Sequence, residues 1–282
     1  METLALTRAE LERVVETIAR EAARRMGRTA QNGQLPARQL ASREKSESAC
    51  PDAQPAEVRA LARLFDHTLL RPQAARAEIE RLADEARRWL FATVCVNSAW
   101  IPVAAERLRG TEVKVASVAG FPLGAALTAL KRAEAERAIL AGASEIDMVM
   151  NVGALKSGEP ERVESDIRGV VEVCHAGGAL LKVILENAYL SDAEKVTGCR
   201  LAQNAGADFV KTSTGFGPSG AKAEDVRLMR QTVGPGMGVK AAGGIRNLDD
   251  ALRMLQAGAS RLGSSASVAI LEEAARFLQA VS

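Results

Sequence analysis

AGASEIDMV (residues 141–149), AGADFVKTS (205–213) and AGASRLGSS (257–265) share one pattern. In each, a glycine is placed to end a helix and an apolar strand begins at once. Outward from these stretches, short apolar runs alternate with helical segments from Glu57 onward. Eight strands are expected, centred on LFDHT (64–68), TVCVN (93–97), VKVASV (113–118), EIDMVM (145–150), LKVILE (181–186), FVKTS (209–213), GVKAAG (238–243) and RLGSS (261–265). Helices such as ALKRAEAERAILA and EDVRLMRQTV separate them. Such alternation implies parallel pairing. Eight units in about 225 residues suit an α/β closed barrel, the (β/α)8 TIM barrel, better than an open doubly wound sheet.

The repeat falls on the fourth, sixth and eighth strands. Five places after its glycine stand Asp147, Lys211 and Gly263. Alternate strands of a barrel fill one interior layer. An acid and an amine should therefore face each other near the upper end, with a glycine leaving space. Lys182 and Lys240 also interrupt apolar strands. Lysine is seldom fully buried without a partner, and one alone would read as a side chain snorkelling outward. Three on consecutive strands, beside Asp147, point to chemistry. A neighbouring like charge depresses an amine's pKa, and a neutral amine is a nucleophile. Lys211 flanked by Lys240 is such a pair, and Asp147 is suited to orient a water or shuttle protons. The competing reading is a buried salt-bridge network.

Glycines and hydroxyls mark an expected phosphate site. Gly243 and Gly244 follow strand seven; Gly263, Ser264 and Ser265 follow strand eight, just before SVAILEEAARFLQAV. Barrels commonly hold phosphate with these two loops and the N–H groups of a helix start. TSTGFGPSGA (212–221), after strand six, adds Thr214 and Gly215. Ordinary turn chemistry is the simpler alternative. Lys182 is counted with the substrate-binding residues. Asp66 in FDHT is placed to hydrogen-bond a substrate hydroxyl or to cap the next helix. Cys95 reads as a small core residue lining the pocket, His67 as structural, and Glu186 and Asn187 as supports for the lysines.

Composition narrows the classes. The chain has 282 residues, 47% of them hydrophobic, and a formal charge of +2 from 37 basic and 35 acidic residues. That balance favours neither a nucleic-acid nor a membrane-surface role. No apolar run reaches the length of a spanning helix, and the first residues lack the apolar core of a signal peptide. Cys50, Cys95, Cys174 and Cys199 are widely spaced, as expected of a reduced cytoplasmic protein. With only His67 and His175, no zinc site or other metal is expected, so carbonyl chemistry would require an iminium. No cofactor is expected either.

Residues 1–27 read differently. Thr7 and Glu10 form a capping-box pattern. Leu11, Val14, Val15, Ile18, Ala22 and Met26 then share one face of an amphipathic helix over 7–26, and Gly27 is a plausible stop. Residues 28–55 are polar and irregular, a flexible linker, so the barrel is expected over 56–282. A capped amphipathic helix on a tether has the form of an interaction peptide.

From about Glu57 the chain also resembles the deoxyribose-phosphate aldolase family. The resemblance rests on DHTLLRP, VCVNSAWI, VKVASVAGFPLGA, EIDMVMNVGAL, LKVILE, GADFVKTSTGFGPSGA, GVKAAGGIR and RLGSSAS. It implies a class I aldolase that joins acetaldehyde reversibly to glyceraldehyde 3-phosphate without a cofactor. It places the Schiff-base lysine of FVKTSTG at Lys211, the second lysine of VKAAGGIR at Lys240 and the proton-relay aspartate of EIDMV at Asp147. It implies phosphate contacts at Gly215, Gly243, Gly244, Ser264 and Ser265. Where some members carry a lysine after TSTG, this chain has Phe216, a departure at one such contact. A homo-oligomer, a dimer, is expected. Residues 7–26 are similar to the encapsulation peptides that deliver enzymes into bacterial microcompartments, which implies shell proteins as partners and a location inside such a compartment. The rival is a helix docked on its own barrel or on a neighbouring subunit.

Overall fold

The computed structural model describes residues 54–280. The expected helix over 7–26, the linker up to residue 53 and Cys50 lie outside the described residues. A short helix α1 (Ala56–Ala62) leads into β1 (Phe65–Leu69), α2 (Arg76–Trp89), β2 (Thr93–Val96), α3 (Ile101–Arg107) and β3 (Lys114–Ala119). Then follow α4 (Thr128–Leu140), β4 (Glu145–Val149), α5 (Val152–Lys156), α6 (Pro160–Ala176), β5 (Leu180–Ile184) and α7 (Asp192–Asn204). The chain ends with β6 (Phe209–Lys211), α8 (Ala223–Val233), β7 (Gly238–Ala242), α9 (Leu248–Gln256), β8 (Arg261–Ser264) and α10 (Ser267–Ala280). All eight strands pair in parallel, in sequence order, and β8 closes on β1. The eight strands expected from the sequence are all present, within a residue or two at their ends; FVKTS leaves the strand after Lys211.

The repeat is a structural cassette. Gly142, Gly206 and Gly258 adopt φ of 116°, 89° and 110° at the ends of α4, α7 and α9. The following alanine N–H reaches back to a helical carbonyl in each: Ala143 to Ala138, Ala207 to Ala202 and Ala259 to Met254, all at 3.0 Å. Each glycine N–H bonds the next carbonyl along, giving the paired bonds of a Schellman stop. The next residue already joins the sheet, as Ser144 N–H bonds Val115 O at 2.8 Å, Asp208 N–H bonds Leu181 O at 3.0 Å and Ser260 N–H bonds Val239 O at 2.8 Å. Helix stop and strand start are thus fused, which fixes where each repeat's side chains point.

Strand side chains alternate between faces. The outward set (Val94, Val96, Ile146, Met148, Leu181 and Val183 among others) is buried against the helices. Each such side chain contributes about 1.5–3 kcal/mol of burial. That apolar shell lets the barrel's interior be polar.

Register places the inward set in layers of four. Asp147 pairs with Lys182, Lys182 with Phe209, Lys211 with Lys240 and Lys240 with Arg261. A shift of about one residue per strand, the stagger of such barrels, brings Cys95, Asp147, Lys211 and Gly263 of the even strands level. Asp66, Ala116, Lys182 and Lys240 of the odd strands form the layer beneath. Thr93, Glu145, Phe209 and Arg261 form the lowest.

Candidate active site

Seven ionisable side chains therefore meet inside the barrel, all buried: Asp66, Glu145, Asp147, Lys182, Lys211, Lys240 and Arg261. Lys182 Nζ lies 2.6 Å from Glu145, 2.7 Å from Asp147 and 3.6 Å from Asp66. Lys240 donates to Asp66 and, at 2.7 Å, to Asp147 Oδ2. Arg261 donates to Asp66 Oδ1 at 2.6 Å and approaches Glu145 at 3.2 Å. Lys211 meets one carboxylate among the described residues, Asp147, with Nζ 2.8 Å from Oδ2. The facing acid and amine expected from the repeat are in contact.

Charge decides which base is unusual. Three carboxylates face four bases, and an uncompensated charge in a buried site is costly. The interior is neutral when one base gives up its proton. Burial lowers the pKa of Lys211, Lys240 adds to that, and the single partner Asp147 opposes it without prevailing. Burial acts the same way on Lys240 and Lys182, but there two or three carboxylates outweigh it and raise both values. Asp147 is held well below the usual carboxylate range; burial is overcome by Lys182, Lys211 and Lys240. Asp66 is held down likewise by Lys240, Arg261 and Lys182. The arrangement presents one amine biased towards the free-base form beside a charged pair of acid and ammonium. That is what attack on a carbonyl followed by proton transfer needs.

Other expected residues fall around this centre. Cys95 lies in the same layer, its thiol raised to about 11, chiefly by burial. Asp66 caps no helix; it sits within β1 and is taken up by the ionic network. Glu186 lies past β5 in the left-handed region, φ 57°, and its carboxylate accepts from the Thr214 N–H and hydroxyl rather than joining the lysines. The Thr214 hydroxyl also accepts from Phe216 N–H at 3.0 Å, so it ties the β6–α8 loop together. His67 lies outside the barrel, 2.8 Å from Glu85, and His175 lies 3.0 Å from Asp208.

The glycine loops adjoin the lysine centre at the C-terminal ends of the strands. Gly215, Gly243 and Gly244 all have positive φ, 86°, 86° and 79°. A Cβ on Gly220 would lie 2.2 Å from the carbonyl oxygen of Gly243, while the neighbouring Ala221 N–H bonds that same oxygen at 2.9 Å. The β6 and β7 loops thus touch through bare backbone. Ser264 Oγ donates to Ile245 O at 2.8 Å and accepts from Ala266 N–H at 2.9 Å, joining the β7 and β8 loops ahead of α10. Ser265 is exposed beside it. Phe216, 51% exposed, packs edge-on against Phe121 with ring centroids 5.4 Å apart. Gly220→Ala should force these loops apart and raise KM for a phosphorylated substrate at least about tenfold, leaving kcat nearly unchanged, because it perturbs binding apart from the reacting atoms. Steady-state kinetics check this; a fall in kcat at constant KM would contradict it.

Two features escaped the sequence reading. Glu145 and Arg261 belong to the interior, and the repeat carried the signal: with Phe209 they stand three places after its glycine. Lys131 is a further buried lysine, on α4, bonded to Asp166 at 2.6 Å and to the Val149 carbonyl at 3.0 Å. It braces the end of β4, the strand of Asp147.

A closed barrel with lysines and carboxylates at its centre defines an aldolase-like class of protein. The DeoC/LacD family aldolase description matches residues 60–272, and the chain belongs to that family: it is an aldolase, a lyase. It is 57% identical over 216 residues to the deoxyribose-phosphate aldolase of Aciduliprofundum boonei, covering 77% of this chain and 97% of that one. It is 58% identical over 212 residues to the Streptococcus pneumoniae serotype 19F enzyme of the same name, covering 75% and 96%. Among solved structures, a putative deoxyribose-phosphate aldolase from Coccidioides immitis superposes with a TM-score of 0.74 at 40% identity, over 91% of this chain and 97% of that one. The deoxyribose phosphate aldolase of Aeropyrum pernix, described as tetrameric, does so with 0.72 at 35% identity, over 79% and 94%.

Proposed function

We propose that the chain cleaves 2-deoxy-D-ribose 5-phosphate reversibly to acetaldehyde and D-glyceraldehyde 3-phosphate, with Lys211 as the Schiff-base residue. The observation that carries this is Lys211 itself, the buried base with a single carboxylate partner in an interior of three acids and four bases. The names of the relatives support the substrate.

Neutral Lys211 adds to the C1 aldehyde, and loss of water gives an iminium. A water held by Asp147 and Lys240 takes the C3 hydroxyl proton as the C2–C3 bond breaks, and the bond's electrons pass to the iminium nitrogen. Glyceraldehyde 3-phosphate leaves and an enamine remains. The water held by Asp147 and Lys240 supplies the proton to C2, and hydrolysis frees acetaldehyde and Lys211. General acid–base assistance of this kind contributes about 10² to 10⁴ in rate. Gly215, Gly243, Gly244 and Ser265 offer N–H groups to the phosphate near the start of α10.

The test is product analysis. Purified protein given 2-deoxyribose 5-phosphate should release equal amounts of the two aldehydes, at a rate untouched by a chelator. Dependence on a divalent metal, or turnover confined to another aldol donor, would sink the reading. Two coarser proposals accompany it. The exposed Leu123, Leu127 and Leu130 on the β3–α4 connection and the first turn of α4 support self-association, to be read by light scattering on the purified chain. The sequence pattern of 7–26 supports delivery to a protein shell. Deletion of residues 1–50 should then leave activity intact and abolish co-purification with shell proteins.

A further inference from the structure

The barrel has a second opening. Opposite the glycine loops, a cavity of about 910 Å³ lies at the N-terminal ends of the strands, and Glu145 and Arg261 line it together with Phe209 and Leu180. Its rim carries further charged or titratable groups: Arg63, Glu112, Lys114, His175 and Asp208. Arg261 stands over the Phe209 ring, 5.6 Å from its centroid, which fixes the guanidinium at the cavity's inner wall. From there the ion pairs run inward without a break. Arg261 meets Glu145 and Asp66, Glu145 meets Lys182, and Lys182 meets Asp147, the partner of Lys211. With a strand rise of about 3.3 Å per residue, Glu145 lies roughly 7 Å below the layer of Lys211. It lines the cavity at the N-terminal ends of the strands, on the side of that layer away from the glycine loops.

We propose that Glu145 and Arg261 are positioning residues for the aldolase reaction: from the far end of the barrel they hold the interior at the charge balance that leaves Lys211 as the uncharged base. The proposal rests on Lys211 being the nucleophile. The groups facing Lys211 are Asp147 from β4, Lys240 from β7 and Cys95 from β2. Behind them stand Lys182 and Asp66. Each carboxylate in this set is shared between bases, so loss of a charge at the floor redistributes the partners above it. Without the Glu145 charge, Lys182 leans on Asp147 and Asp66, and Asp147 has less to give Lys211. Both the lost negative charge and the lost partner disfavour protonated Lys211. Without the Arg261 charge, the interior holds three carboxylates against three bases, and protonated Lys211 completes the balance.

The two substitutions therefore act with opposite sign. In the pH dependence of kcat/KM for cleavage, the acid limb marks the loss of the free amine. Glu145→Gln should move that limb down by roughly one pH unit, and Arg261→Met should move it up by a similar amount, with activity recovered at higher pH. That is the scale for a unit charge about 10 Å away at an effective dielectric of about 20. Arg261→Lys, which keeps the charge, should leave the limb near its original position, and the double variant E145Q/R261M should return it there. Should R261M fail to fold, E145Q and R261K still decide. An E145Q limb that stays in place or moves up, or single variants that only scale the whole profile down, would overturn the proposal in favour of a purely structural role. Reductive trapping of the unsubstituted protein runs beside these profiles. A label on another lysine there would overturn the reading of Lys211 itself, an outcome distinct from an unmoved limb.

Discussion

Lys211→Met is expected to lower turnover by at least about 10⁵-fold while the barrel stays folded. The loss is this large because the covalent route disappears; removing the nucleophile of other covalent enzymes costs on that scale. The fold survives for a reason visible in the ion pairs. Asp147 keeps Lys182 at 2.7 Å and Lys240 at 2.7 Å when Lys211 is gone. The interior then holds three carboxylates and three bases, and methionine fills the lysine stem's place with an apolar chain. Its thermal midpoint should equal or exceed that of the unsubstituted chain. A turnover loss smaller than about 10⁵-fold, or a collapsed midpoint, would contradict this account.

Asp147→Ala has the opposite profile, with both activity and stability lost. Asp147 accepts from Lys182, Lys211 and Lys240 within 2.8 Å. Removing it leaves three buried amines with Asp66 and Glu145 to share. Breaking one side of a buried ion pair costs about 3–5 kcal/mol, and the shift should appear in the denaturant midpoint at constant slope. Activity should fall by at least about 10³-fold as the proton relay is lost. Asp147→Asn keeps the shape and removes the charge, so it should lose the relay with a smaller stability loss. A D147A midpoint equal to that of the unsubstituted chain would mean that the lysines do not depend on Asp147.

The difference between these two substitutions follows from partner number: Asp147 meets three lysines, Lys211 one carboxylate. The repeat made the even-strand layer legible, because one offset from a glycine fixes one height on strands four, six and eight. Asp147, Lys211 and Gly263 share that offset and that height. The same repeat, read two residues earlier, yields Glu145, Phe209 and Arg261. A glutamate and an arginine at the first residue of a strand carry no local sign of the face they take. Asp66 was harder. It meets Lys240 and Arg261, 174 and 195 positions away, because β1 closes on β8. No local pattern encodes a contact made by closure. The loops were legible as glycine-rich, but their internal bonding was not. Thr214 and Ser264 spend their hydroxyls on Glu186, Phe216, Ile245 and Ala266, which only the folded backbone brings near. Expectations for residues 7–26 lie outside the described residues and rest on pattern alone.

The central claim is that one lysine of the buried set carries the carbon skeleton. Incubation with acetaldehyde, reduction with borohydride and peptide mass spectrometry test it directly, since reduction freezes the imine on the residue that formed it. The account predicts a two-carbon adduct on the peptide containing Lys211, formed more slowly as the pH falls. An adduct on Lys182 or Lys240, with Lys211 unmodified, would contradict it.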